Sequence, residues 1–260
     1  MPDFTLLLVS HNKPELVREA VQSVLAQTHQ NWEAILIDSG VLLNQGHFNF
    51  LTDRRFKVIP SGETGEIART HNMASWCFNR VLNEGRANGE IIFYLCDDDL
   101  IYPNAFATYW DYYTRQNCGP QAMYASQDIG LIDAQGRTNI IGQRRARRPA
   151  GKFCRGAKLD CRVDYLQFCH TAKILEKFAA VHGHTRYHCE DKAEAHHADG
   201  IFMEQIGALT TVHPIDVVTS INRRSADSAN IAYSATRLGR LRVILAAKWK
   251  GLLRRWQKKG

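Results

Sequence analysis

Four short apolar runs, separated by amphipathic stretches, constrain the folding of this 260-residue chain more than any other feature. Phe4 to Val9 is too short and too branched for a helix of its own, so it reads as a buried strand stopping at Ser10-His11-Asn12. Pro14 then suits the first turn of a helix to about Gln27, with Val17, Ala20, Val21, Val24 and Leu25 on one face. Trp32 to Ile37 is a second strand, closing on Asp38-Ser39-Gly40, and Phe56 to Ile59 is a third, closing on Pro60-Ser61-Gly62. A helix over about Glu66 to Glu84 precedes the fourth strand, Glu90 to Leu95. Strands alternating with helices predict an α/β fold, Rossmann-like, with a mostly parallel central sheet and helices on both faces. Ligands of such sheets gather at the carboxyl ends of the strands. Those ends carry Asn12, Asp38 and Asp97-Asp98-Asp99 here.

Beyond about Tyr113 the pattern loosens. Ala122 to Ser126 and Gly130 to Asp133 suggest a hairpin, with Ala134-Gln135-Gly136 as a turn nearby. Residues 143–158 are basic and Gly-rich and read as a mobile loop, while Cys169 to Val181 and Asp191 to Ile206 look helical. The expected organisation is one domain over 1–235 (about 1–113 and about 114–235 as its halves), followed by a basic amphipathic tail over 236–260.

Charge separates the tail from the body. The net charge is +7, and residues 236–260 hold nine Lys and Arg and no acid, so the first 235 carry 7 − 9 = −2. A basic body suited to nucleic acid is therefore not expected, nor is a nucleic-acid partner. No stretch reaches the ~18 apolar residues of a spanning helix, and the start lacks a signal-peptide pattern, which predicts a cytoplasmic protein. Seven scattered cysteines with no Cys-x-x-Cys pair fit reduced thiols. In the tail, Leu238, Leu241, Leu245, Trp249, Leu252 and Trp256 would line one stripe of a helix surrounded by Lys and Arg. Such a helix suits an anionic membrane surface, here the inner face, or packs against the body or a second subunit.

Three consecutive aspartates repel one another unless a cation neutralises them. Hard divalent ions favour carboxylate oxygens, and Mg²⁺ commonly bridges one or two carboxylates to substrate phosphates. The plainer reading of Asp97-Asp98-Asp99 is a solvated turn or a helix N-cap.

The aspartates have company in Leu8-Val9-Ser10-His11-Asn12, in Val21-Gln22-Ser23-Val24-Leu25-Ala26-Gln27-Thr28, and in Trp32 to Gly40. Further on stand Ala68-Arg69-Thr70-His71-Asn72 and Leu95-Cys96-Asp97-Asp98-Asp99 with Pro103. Over about residues 4–110 these stretches resemble the family 2 glycosyltransferases and their GT-A fold, with one residue inserted in 68–72 relative to the usual motif. The resemblance implies a nucleoside-diphosphate sugar donor bound through Ser10, Asn12, Asp38, Arg69, Asn72 and Asp97, with Mg²⁺ or Mn²⁺ held by the aspartates. Cys96 stands where the family usually has the first acid of the cluster. In that register Asp98 is the metal ligand and Asp97 lies near the ribose; a one-residue slip would give these tasks to Asp97 and Asp99.

Inverting transfer needs a carboxylate to take the acceptor hydroxyl's proton. Similar enzymes place it second in a Glu-Asp pair opening a helix, which implies Asp191 as base with Glu190 beside it or touching the acceptor. The pair reads otherwise as acids complementing a helix dipole. Thr219 to Ser228 resembles a further family segment and suggests Arg223 as a clamp on the diphosphate. The usual histidine of that segment is missing, leaving His213 as a distant candidate for a third metal ligand. The implied acceptor is a glycan or lipid-linked molecule in surface polysaccharide synthesis.

Other clusters have plainer readings. His182, His184, His188, Cys189, His196 and His197 match no standard zinc spacing and read as surface and acceptor-pocket residues, as do Cys154, Cys161 and Cys169. His170 is either an acceptor-pocket lining or a buried structural histidine. Arg144, Arg145, Arg147 and Arg148 form a solvated basic loop or attract a phosphate-bearing acceptor. The rival functions are a retaining GT-A enzyme, a catalytically silent nucleotide- or membrane-binding module, and a nucleotidyltransferase. The last lacks its Gly-rich phosphate loop here, with only Lys13 offered after the first strand.

Overall fold

A computed structural model describes residues 1–63, 65–151, 159–160, 162–182, 187–195 and 197–224. The chain divides into two compact units, Met1–Asp128 with Gly142–Asn222, and Ile129–Ile141 with Arg223–Gly260. The expected tail over 236–260 lies outside the described residues, as do residues 152–158 of the expected loop.

In chain order the first unit begins with β1 (Phe4–Ser10), α1 (Pro14–Leu25), β2 (Trp32–Asp38), β3 (Phe56–Pro60), α2 (Gly65–Thr70) and α3 (Met73–Asn83). Next come β4 (Ile91–Cys96), β5 (Leu100–Ile101), α4 (Ala105–Arg115), β6 (Ala122–Ile132) and β7 (Thr138–Arg144). The last elements are β8 (Phe168–Thr171), α5 (Ala172–His182), α6 (Ala198–Leu209) and β9 (Val212–Arg224). The nine strands of the described residues form one mixed sheet in the order β3-β2-β1-β4-β8-β6-β9-β5, with β7 paired to β6 off that path. The strands β1, β2, β3 and β4 are parallel; β8 runs antiparallel to β4 and β6.

Alternation places the core on both faces of the sheet. Phe4, Leu6 and Leu8 of β1 pack with Val17, Val21 and Val24 of α1 and with Phe106 and Tyr109 of α4. Leu7 and Val9 face the other way, into a cluster with Phe78 and Val81 of α3, Phe178 of α5, and Phe202 and Ile206 of α6. Strands covered on both faces read as unbroken apolar runs because successive side chains point to opposite sides. Each large side chain so buried contributes about 1.5–3 kcal/mol against the entropy of ordering the chain.

Strand order reverses beside β1: the chain leaves β1 for β2 on one side and returns to β4 on the other. Register puts Ser10 opposite Asp38 and Val9 opposite Cys96, so the polar residues after β1, β2 and β4 emerge at one level. That is the switch point at which ligands of open α/β sheets bind.

Four expectations are corrected. The helix expected over 66–84 breaks at His71-Asn72 into α2 and α3. Asn72 is extended (φ −73°, ψ 108°) and its N–H donates to Glu190 O at 2.8 Å, so a tertiary bond has displaced a helical one. The strands expected over 122–126 and 130–133 are one strand, β6, whose hairpin partner is β7, from a stretch assigned partly to a loop. The turn joining them, in the second unit, is built on Asp133, whose Oδ1 accepts from the Gln135 and Arg137 N–H groups. Cys169 to Val181 begins as the strand β8 before turning helical, and Asp191 to Ile206 holds a short 3₁₀ turn before α6.

Candidate active site

The turn after β1 is shaped by its neighbours. Asn12 sits at φ 54°, a left-handed conformation that asparagine tolerates better than most residues, and its Oδ1 accepts the Val41 N–H at 2.9 Å. A Cβ on Gly40 would fall on Asn12 Oδ1, so glycine is required for the two turns to approach. Ser10 lies wholly buried beneath them, its carbonyl accepting from both the N–H and the hydroxyl of Ser39. Asp38 is buried as well; its two oxygens accept from Gly40 N–H (3.2 Å) and Leu43 N–H (2.8 Å), which fixes the carboxylate at the strand end.

The acidic cluster follows β4. Asp97 is 4% exposed, accepting from His11 N–H at 2.7 Å and from Lys13 Nζ at 3.1 Å. Burial raises its pKa, and the Lys13 charge and the His11 N–H work against that rise. Lys13 Nζ also reaches Asp98 Oδ2 at 2.7 Å. Burial acts to lower the Lys13 pKa, but the Asp97 and Asp98 carboxylates outweigh it and hold the ammonium above its ordinary value. Asp99 is buried and accepts from Asn222 Nδ2 at 3.3 Å. Burial, followed by the three carboxylates, pushes the Cys96 thiol well above its ordinary pKa. The cysteine in place of an acid is therefore a protonated group, and hard divalent ions prefer oxygen.

Among the described residues no three His, Cys, Asp or Glu side chains converge on a common metal position. A divalent ion held here would rest on one or two carboxylates with phosphate and water completing its shell, which is how Mg²⁺ is commonly bound. The donor chemistry fits: the Asp97–Asp98 pair already holds a cation, the Lys13 ammonium, and the Asp98 side chain is 35% exposed. Asp98 is thus the most accessible member of the cluster for such an ion.

The acid pair lies on a separate piece of framework. Glu190 is buried, and its Oε1 accepts from Asn79 Nδ2 of α3 at 2.7 Å. Asp191 is exposed, pairs as an isolated bridge with His71, and caps the following 3₁₀ turn by accepting Ala193 N–H at 2.9 Å. Lys192 Nζ donates to the carbonyls of Ala68 (2.9 Å) and Arg69 (3.0 Å), where the end of α2 presents its negative pole. Arg69 and Asn72, both assigned to the donor, therefore sit at the corner on which the acid pair docks. The Arg69 side chain is exposed.

Arg223, a buried residue, belongs to the second unit. Other sequence candidates have their own surroundings. His213 stands at the start of β9, nine residues (222 − 213) before the Asn222 that meets Asp99, or about 30 Å along a strand. It cannot share an ion with the aspartates, and it pairs instead with Tyr112. His170 is fully buried against Tyr94 OH (2.6 Å), and burial lowers its pKa to about 4, which is the structural reading of that residue. Arg144 pairs with Asp164 at 2.5 Å, and Arg145 and Arg147 both pair with Asp216. Much of that basic patch is thus neutralised from within. His184, His196, Cys154 and Cys161 lie outside the described residues; His188 is buried against Tyr165 OH, and His197 meets Asp160.

Three residues escaped sequence reasoning. Lys13 reads in the sequence only as an inadequate phosphate loop, although a cation next to Asn12 is the natural counter-ion for an acidic strand end. Asn79 was hidden in a helical pattern; a short polar side chain on an otherwise apolar face was its one signal. Asp199, in the first turn of α6, has its pKa raised to about 6 by burial and then by Asp164.

A model of glycosyl transferase family 2 matches residues 5–165. Protein CgeD of Bacillus subtilis (strain 168) is 24% identical over 236 residues, which cover 88% of this chain and 52% of CgeD. The fold is similar to S. aureus TarS 1–349 in complex with UDP-GlcNAc (TM-score 0.61, 15% identity, 86% of this chain and 59% of that one). It is also similar to the mannosyltransferase PcManGT of Pyrobaculum calidifontis in complex with GDP-Man and Mn²⁺ (TM-score 0.55, 12% identity, 89% and 60%). The chain spans about half the length of the curated relative and about three-fifths of these solved chains.

Proposed function

Since this chain belongs to glycosyl transferase family 2, we propose that it transfers a sugar from a nucleoside-diphosphate sugar to a glycan or lipid-linked acceptor, with inversion at the anomeric carbon. The observation that carries the reading is the Asp97-Asp98-Asp99 turn at the switch point of the sheet, level with Ser10 and Asp38. The donors held by the two solved neighbours, UDP-GlcNAc and GDP-Man, are of the same chemical class.

In this reading Asp38 holds the nucleoside, with Ser10 and Asn12 shaping the turns around it and Asp97 near the ribose. Asp98, with Asp97 or Asp99, would hold Mg²⁺ or Mn²⁺. Such an ion supplies positive charge to the departing diphosphate. Lys13 and Arg69 supply further cationic groups from the chain itself, while Asn72 orders the corner that carries Arg69. Asp191, exposed where an acceptor can reach it, takes the proton of the acceptor hydroxyl. The acceptor oxygen forms its bond to the anomeric carbon as the bond to the diphosphate oxygen breaks, and that electron pair leaves with the nucleoside diphosphate. Glu190 stays behind Asp191 as a buried neighbour. Residues 1–113 serve the donor, 114–235 the acceptor, and the basic tail over 236–260 rests on the inner face of an anionic membrane during surface polysaccharide synthesis.

The test is hydrolysis of a panel of nucleotide sugars with Mn²⁺, with Mg²⁺ and with EDTA. Metal-dependent release from one donor, lost in Asp98→Ala, supports the reading. No turnover and no metal-dependent donor binding would sink it in favour of a silent binding module. Anomer analysis of the transfer product decides inversion, and liposome sedimentation with and without residues 237–260 decides the membrane role.

A further inference from the structure

Asn79 lies in the middle of α3, 1% exposed, and its side-chain amide is committed at both ends. Oδ1 accepts the His188 N–H at 2.8 Å. Nδ2 donates to the His188 carbonyl at 2.8 Å and to Glu190 Oε1 at 2.7 Å. One amide thereby does for His188 what a neighbouring strand would do, pairing both its N–H and its C=O, and holds a carboxylate as well. A short amide inside a helix competes with the backbone and is costly to bury unless bonded, so it marks a position that these partners require.

The anchored stretch leads directly to the acid pair. Asn79 fixes His188 and the Glu190 side chain, Asn72 N–H fixes the Glu190 carbonyl at 2.8 Å, and His71 bridges Asp191. The His188 ring packs among Phe78, Tyr94, Tyr165 and Phe202, so the stretch has little room to shift toward the core. Removing the Asn79 amide would remove its bonds to the His188 backbone and to Glu190 Oε1 together, and Asp191 is one residue further on.

We propose that Asn79 is a positioning residue for sugar transfer: its side-chain amide sets where the Asp191 carboxylate stands relative to the acceptor hydroxyl. The proposal rests on the reading of Asp191 as the base. It gives the α2–α3 corner two tasks, carrying Arg69 toward the donor and aligning the base for the acceptor. Displacement of a catalytic group by about 1 Å can cost up to about 10²-fold in rate without touching the donor site.

A double-mutant cycle tests this. Transfer by the full chain is measured for the wild type, Asn79→Ala, Asp191→Asn and the double variant, with donor KM and thermal midpoint recorded for each. Asn79→Ala is expected to lower kcat about 10- to 100-fold, leave donor KM within about twofold, and add no further loss in the Asp191→Asn background. Loss by the same factor in both backgrounds would reduce Asn79 to a structural role and overturn the proposal, as would an unchanged kcat. Should Asn79→Ala fail to fold, Asn79→Ser, which keeps a short polar group and adds no charge beside Glu190, is run through the same cycle. If Asp191→Asn alone keeps full kcat, the reading of Asp191 as base falls, and that result is visible in the single variant, apart from anything Asn79 does.

Discussion

The strand-end cluster and the acid pair belong to the same unit yet are held in different ways. Around Ser10, Asp38 and Asp97 the position of each side chain follows from strand register: fixing β1 against β2 and β4 brings the three turns level. The Glu190-Asp191 pair has no such frame. It is held by hydrogen bonds from Asn72, Asn79 and Lys192 to groups more than 100 residues away in sequence. The first arrangement survives the loss of any one polar contact; the second is a short list of bonds, each of which matters.

The largest test of that contrast is in activity. If Asp191 is the base, Asp191→Asn is expected to lower kcat by about 10²–10⁴-fold in a transfer assay, with thermal stability near that of the wild type because the residue is exposed. Unimpaired transfer would leave the acid pair a docking feature only. Next is Asn79→Leu, which strands the His188 N–H and C=O and removes the bond to Glu190 Oε1; a loss of about 2–5 kcal/mol in denaturant unfolding is expected. A loss under 1 kcal/mol would mean that the acid-pair side tolerates deletion as well as the strand ends do.

The pH dependence of Asp199→Asn probes the acid-pair side from α6. The folded-state pKa of Asp199 is about 6 against an ordinary 3.8, so the folded protein binds its proton more tightly and loses stability as pH rises from about 4 to about 6. The gap of about two units corresponds to up to about 3 kcal/mol. Thermal midpoints of the variant should hold up better than the wild type's across that window; parallel curves would refute the assignment. The smallest effect belongs to the strand ends. Lys13→Met removes the ammonium from Asp97 and Asp98, and because Lys13 is partly exposed the cost at neutral pH is about 1 kcal/mol. Asp97, already raised by burial, would rise further, so the variant should lose more stability than the wild type as pH rises above about 4.

Legibility followed the same division. Four apolar runs and their polar stops were enough to find β1 to β4 and the turns they carry, since burial on both faces writes itself as an uninterrupted run. Asn12, Asp38 and the aspartates came with them. The break between α2 and α3 was not readable, because nothing in Ala68 to Asn72 announces that Asn72 N–H will bind Glu190 O. The bonds of Asn79 were unreadable for the same reason: its partners are 109 and 111 residues distant. The strand β8 was masked by the helix that continues from it, and β7 by the basic residues around it.

The two ends of the main strand path bear on how copies of the chain behave in a concentrated solution. One end is β3, which carries Lys57 and finishes on Pro60, a residue without an N–H to offer; the other is β5, two residues long. Charge, proline and brevity are the ordinary means by which a sheet refuses a stranger's backbone. At these two ends, therefore, crowding should drive copies together through side chains before it drives them into stacked ribbons.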